Sequence, residues 1–113
     1  MNDLLRGRKF QLWEYKASHG SLLIRSPKHG DIQQNIDIKF FGVIYLAIPR
    51  HLNEIHIAEP NKDELEFLET KIGKKELQKK IYIIVSGEHR YSIVSEAYKI
   101  DSNELDIFDS PFD

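Results

Sequence analysis

Two histidines and a glutamate lie close together in the middle of the chain, in the segment His51-Leu52-Asn53-Glu54-Ile55-His56. Zinc motifs on helices need two ligands four residues apart, so that both point from one face. The spacing of five found here turns His56 about 140° away from His51 on a helix. On a strand it sends the two rings to opposite faces. Only Glu54 and His56 would share a strand face, so we expect no metal site here.

The chain also lacks the usual residues of nucleophilic catalysis. It contains no cysteine, which excludes thiol nucleophiles, disulfides, cysteine-based zinc sites and iron–sulfur clusters. No serine lies in a Gly-x-Ser-x-Gly sequence. Gly73-Lys74-Lys75 follows a predicted helix rather than opening one, so it is not a phosphate-binding loop. We therefore expect neither catalysis nor a cofactor, and an enzyme whose groups converge only in the fold is our third hypothesis.

Basic and imidazole side chains flank several predicted strands. Guanidinium groups bind carboxylates and phosphates bidentately, so such residues at one rim of a curled sheet could bind a small anionic ligand. This is our second hypothesis. Arginines at strand ends also act as edge charges that discourage aggregation, and that alternative stays open. The candidate ligand-binding residues are Arg25, Arg50, His51, His89 and Arg90.

The last thirteen residues, 101–113, change in character, because they hold five acidic groups and no basic one. Four apolar side chains are interspersed among them. They could pack on a protein partner, or on a second copy by strand addition, or they could fold back onto the domain. Our preferred hypothesis is accordingly a non-enzymatic protein-binding or regulatory module. Its candidate partner-binding residues are Leu105, Ile107, Phe108 and Phe112.

Composition limits the remaining function classes. A chain of 113 residues, 41% apolar and 30% charged, fits one globular domain. The formal net charge of −2 lacks the basic excess of nucleic-acid binders. This charge is unevenly spread, because the first fifty residues carry eight basic and four acidic groups. The longest apolar stretch, residues 40–48, is far shorter than the roughly 20 residues of a membrane span. We expect a soluble, cytoplasmic protein that binds neither nucleic acid nor membrane.

Most of the chain has the pattern of strands. Residues 9–16 and 22–25 flank turn residues and predict a hairpin, and Ile36, Ile38 and Phe40 alternate with polar residues along one buried face. The apolar run 43–48 predicts a central strand covered on both faces. Residues 90–100 predict another strand, broken near Glu96. These patterns indicate an α+β fold with a mainly antiparallel curled sheet, or partial barrel, of about six to eight strands.

One helix is predicted near residues 61–72. Asn61 and Glu64 have the spacing of a capping box, and acidic residues in a first turn interact favourably with the helix dipole. Leu65, Leu68 and Ile72 form one apolar stripe, and Phe67 lies off that stripe. We expect this helix to cover one opening of the sheet.

Overall fold

The computed structural model of the chain describes residues 5–74, 80–106 and 108–112, and within these ranges it has nine strands and one helix. All the strand pairs are antiparallel. The α+β prediction is confirmed, with one strand more than the expected range. In chain order the elements are β1 (Lys9–Lys16), β2 (Ser21–Ser26), β3 (Asn35–Phe41), β4 (Tyr45–Ala47), β5 (His51–Asn53), β6 (Ile55–Ala58), α1 (Lys62–Ile72), β7 (Lys80–Ser86), β8 (His89–Ser95) and β9 (Ala97–Asn103).

The strands form two open sheets. The large sheet has the order β5-β1-β2-β3-β9 and the small sheet the order β4-β8-β7-β6. The predicted hairpin is β1 with β2, and the predicted break near Glu96 is where the chain leaves the small sheet and enters the large one. A strand that changes sheets needs such an irregularity, because its two halves hydrogen-bond to different neighbours.

The main core lies between the two sheets. Ile24, Ile38 and Phe40 of the large sheet are fully buried and belong to the same cluster as Ile84 and Ile93 of the small sheet. This confirms the alternation predicted for β3. Each such side chain contributes roughly 1.5–3 kcal/mol by leaving water. The faces that carry these residues are called the inner faces of the two sheets, and the opposite ones the outer faces.

The helix covers part of the outer face of the small sheet. Its predicted capping box is present, with the Glu64 amide donating to Asn61 and the Asn61 amide donating to the Glu64 carboxylate. Leu68 on α1 and Ile83 and Val94 on the outer face are all fully buried, outside the main core cluster. The burial of both surfaces indicates a second, smaller core between helix and sheet.

The prediction of a central strand over residues 43–48 was wrong. Only Tyr45–Ala47 forms a strand, and β4 lies at the edge of the small sheet rather than at its centre. The run is apolar because it crosses between the sheets, where Val43 is buried in the main core. Val43 donates its amide hydrogen to the Gly20 carbonyl at 2.9 Å, and a Cβ on Gly20 would lie 2.9 Å from the Val43 nitrogen. This close approach requires glycine there, at φ +61°.

Candidate functional site

Arg25 does not lie at a rim, because it is fully buried on the outer face of the large sheet. It pairs in register with Asp37, and its Nε and Nη2 donate to the two carboxylate oxygens at 2.6 and 2.9 Å. The guanidinium also stacks on the Trp13 ring, at 5.4 Å from the centroid. Its Nη1 has no hydrogen-bond partner in the part of the chain that the structure describes. Arg25 is thus engaged within the protein rather than presented to a ligand.

The end of β9 contacts this buried pair, and the segment after β9 contacts the start of β3. Asn103 donates to the Asp37 carboxylate at 2.6 Å, and the Asn35 side chain donates to the Leu105 carbonyl at 2.9 Å. At the other end of β3, the Phe112 ring meets the Phe41 ring edge to face, with 5.9 Å between centroids. The described part of the tail therefore contacts both ends of β3.

The four tail residues expected to contact a partner have different environments. Leu105 and Phe112 are half-buried against their own domain, whereas the side chain of Phe108 is 92% exposed. Ile107 lies outside the described residues. Of the three that are described, Phe108 is the one whose ring is available to another molecule.

The remaining predicted ligand residues fall on two different sheets. Arg50 and His51 are exposed at β5, an edge strand of the large sheet. His89 and Arg90 begin β8 in the small sheet, where the His89 ring stacks on the ring of Tyr91 at 6.1 Å. The structure therefore does not gather the five residues into a single site.

Arg90 ties the helix to the small sheet. Its Nε and Nη2 donate to the two carboxylate oxygens of Glu64, both at 2.9 Å, and Nη2 also donates to the Glu59 carbonyl at 3.1 Å. The hydrogen bonds from Arg90 hold the pKa of Glu64 below its ordinary value, and the Asn61 amide adds to this, against an opposing contribution from burial. The same contact raises the pKa of Arg90. Arg90 is thus neutralised by a carboxylate of its own chain.

A groove of about 420 Å³ lies between α1 and the β4 edge of the small sheet. The residues that line this helix groove come from three elements: Tyr45 and Ala47 from β4, Asp63, Glu64 and Phe67 from α1, and Arg90, Tyr91 and Ser92 from β8. Phe67 is 51% exposed, and the Lys71 ammonium lies 5.4 Å from the centroid of its ring. The position of Phe67 off the apolar stripe of the helix was the sequence signal for this surface, but sequence analysis did not identify Phe67 as a binding residue.

The helix groove combines one ion pair with an apolar lining. Its two facing charges, Arg90 and Glu64, hydrogen-bond to each other. Aromatic rings and a small side chain, Ala47, make up the rest of its apolar lining. Such a surface suits apolar side chains bordered by a few polar groups.

The described ranges 5–74, 80–106 and 108–112 contain no group of three or more acidic or histidine side chains placed to hold a metal ion. They contain no helix with the length and apolarity needed to cross a membrane, since α1 has 11 residues. No protein-family model, curated protein or solved structure matches this chain.

Proposed function

We propose that this protein is a non-enzymatic binding module that takes an extended segment of a partner protein along β4. The observation that carries the proposal is the position of β4: a three-residue edge strand directly beside an uncovered apolar groove. Edge strands offer a row of backbone donors and acceptors to another chain, and strand addition is a common mode of peptide recognition.

The register of β4 supports strand addition at this place. Tyr45 and Ala47 pair with Val94 and Ser92 on the outer face of the small sheet, and both line the helix groove. Side chains of neighbouring antiparallel strands lie side by side on one face, with a period of two residues. Every second side chain of an added strand would therefore project over the helix groove, while the backbone bonds of the ladder hold the peptide in place.

The lining of the helix groove defines the chemistry of the peptide. Phe67 and Tyr45 favour apolar or aromatic side chains at alternate positions. The N-terminal half of the helix rim is acidic, because Asp63 and Glu66 have no ionic partner among the described residues, whereas Arg90 is neutralised by Glu64. Farther along α1, the Lys71 ammonium lies 5.4 Å from the Phe67 ring centroid. We therefore propose a peptide that alternates apolar residues and carries a lysine or arginine next to α1. The acidic rim and the net charge of −2 favour a protein over a nucleic acid.

We also propose the cytoplasm as the compartment in which this binding occurs. A chain without cysteine has no disulfide to form in an oxidising compartment. The C-terminal tail is a second proposed contact, favoured by the exposed ring of Phe108.

Peptide selection followed by NMR mapping tests the proposal. Random dodecapeptides displayed on phage are selected on the intact protein, and enriched peptides are titrated into ¹⁵N-labelled protein. We expect alternating apolar sequences with a basic residue, and shifts centred on Tyr45–Ala47. Phe67→Ser should weaken binding about 30-fold, the loss expected for a central aromatic contact. Asp63→Asn should weaken it a few-fold and remove the preference for a basic residue.

Phe108→Ser is the matched control, because it removes an equally large exposed ring from the tail instead of the helix groove. We expect its affinity to equal that of the unmodified protein. Loss of peptide binding in Phe108→Ser but not in Phe67→Ser would mean that the peptide binds to the tail and not in the helix groove. No enriched peptide, or shifts confined to the large sheet, would contradict strand addition at β4.

A further inference from the structure

A second concave site lies on the large sheet, at the edge formed by β5. It is a hollow of about 260 Å³ between that edge and the loop after β2. This size is just below the range of drug-sized ligand pockets and suits a smaller molecule. The residues that line this basic hollow are Lys9, Phe10, Gln11, Ser26, Pro27, His29, His51, Leu52 and Asn53.

Strand register places two of its cationic groups on one face. His51 pairs with Gln11 and Asn53 pairs with Lys9, so these four side chains share the outer face of the large sheet. Lys9 and His51 are diagonal neighbours in this arrangement, about 7–8 Å apart at the backbone. A polyatomic anion between them would contact both, and the amides of Gln11 and Asn53 supply further donors.

The third group, His29, is positioned by its own loop. The backbone of His29 forms two hydrogen bonds with Ile32, at 3.0 and 2.8 Å, and Gly30 between them has a φ of +53°. These bonds close a tight turn in the loop between β2 and β3. These backbone bonds fix the turn that holds His29 at the hollow.

The charges of the basic hollow are not neutralised within the chain. No ion pair or side-chain hydrogen bond links Lys9, His29 or His51 to another described residue, and no carboxylate lines the hollow. Beyond Gln11 in the same cross-strand row lies Arg25, whose charge is balanced by Asp37. In a protein of net charge −2, a hollow lined by a lysine without a counter-ion among the described residues and by two imidazole rings is a local exception to the overall charge.

We propose that the basic hollow binds a small oxyanion with at least two negative charges, such as a phosphate monoester or a tricarboxylate. The ammonium group of Lys9 donates a charge-assisted hydrogen bond to the anion, and ring N–H groups of His29 and His51 donate to it as well. This site is separate from the helix groove, so neither proposal depends on the other.

Calorimetric titration with sulfate, inorganic phosphate and citrate tests this site. We expect saturable binding of at least one of these anions, because Lys9 and the side-chain N–H donors of the lining can all reach a polyatomic anion in the hollow. Lys9→Gln and His51→Gln should each weaken binding of the preferred anion about 10-fold, the effect of one charge-assisted bond.

The matched controls are Lys62→Gln and His19→Gln, which remove the same charges from exposed positions on α1 and in the turn after β1. We expect both to bind as the unmodified protein does. Binding of phosphate alone assigns a phosphoryl ligand, and preferred binding of citrate assigns a polycarboxylate. Absence of saturable binding for all three anions would overturn the proposal. Equal losses of anion affinity in the controls and in Lys9→Gln would overturn it as well.

Discussion

Arg25 is the residue whose role depends most on the fold. Its position at a predicted strand end indicated a ligand contact at a rim, but its row on the sheet places it directly opposite Asp37. Sequence alone does not reveal which strands are neighbours, so it could not pair these two residues across twelve positions of chain. Placed in the interior, a guanidinium needs a carboxylate with good geometry to offset its lost hydration.

Removal of one partner from this pair should destabilise the protein strongly. Asp37→Ala leaves the guanidinium of Arg25 buried without a carboxylate, and we expect a loss of about 3–5 kcal/mol in the free energy of unfolding, measured with urea. The double variant Arg25→Met with Asp37→Leu should recover most of the lost free energy of unfolding, because both charges are then absent.

Asp101→Asn is the matched control at the residue scale. Asp101 accepts from Lys39 at 2.8 Å on the neighbouring strand, which lowers the pKa of Asp101, but its side chain is 34% exposed. An ion pair this accessible to water contributes at most about 1 kcal/mol. Equal losses in Asp37→Ala and Asp101→Asn would mean that burial of the Arg25 pair has no energetic consequence.

At the scale of elements, the sequence predicted the features that depend on residues close together in the chain. It did not predict how strands distant in the chain pair with one another. The capping box of α1 is made by residues three positions apart, so the sequence contained it completely. The alternation of β3 likewise identified its buried face. The apolar run before Pro49 was misread because burial between two sheets and burial inside one sheet require the same residue types. For the same reason the edge position of β4, and with it the helix groove, was not predictable.

The contact of α1 with β8 should depend on pH. Because the pKa of Glu64 is lowered in the folded protein, its ionised form stabilises the fold above the ordinary value of 4.5. This contribution is lost as the pH falls through the folded value. Glu64→Gln keeps an oxygen for the Asn61 amide but removes the charge, so it should be less stable than the unmodified protein at neutral pH. The difference should shrink as the pH falls below 4.5.

Urea unfolding of both proteins across the acidic range measures this difference. Glu66→Gln is the control on the same helix, since Glu66 is exposed and has no ionic partner among the described residues. It should differ little from the unmodified protein at neutral pH. A gap between Glu64→Gln and the unmodified protein that persists unchanged into acid would exclude the Arg90 contact as its cause.

At the scale of the whole molecule, the uneven charge of the sequence is partly balanced inside the fold. Lys39 of the basic half pairs with Asp101, and Lys28 lies 3.7 Å from Asp106 and donates to the Glu104 carbonyl at 2.5 Å. Acidic residues near the C-terminus thus contact lysines from the first fifty residues. Part of the uneven charge of the sequence is therefore neutralised by contacts within the chain.

Removal of residues 104–113 should consequently reduce stability as well as any association. The truncation removes the Leu105 carbonyl that accepts from Asn35, the contacts of Lys28 with Glu104 and Asp106, and the ring that packs on Phe41. We expect a loss of about 2 kcal/mol or more, which lowers the midpoint of thermal unfolding by roughly 8 °C. Phe108→Ser should leave that midpoint unchanged, because its ring is already in water. A truncated protein that melts like the full chain would contradict this, and would show that the contacts of the tail with the large sheet do not stabilise the fold.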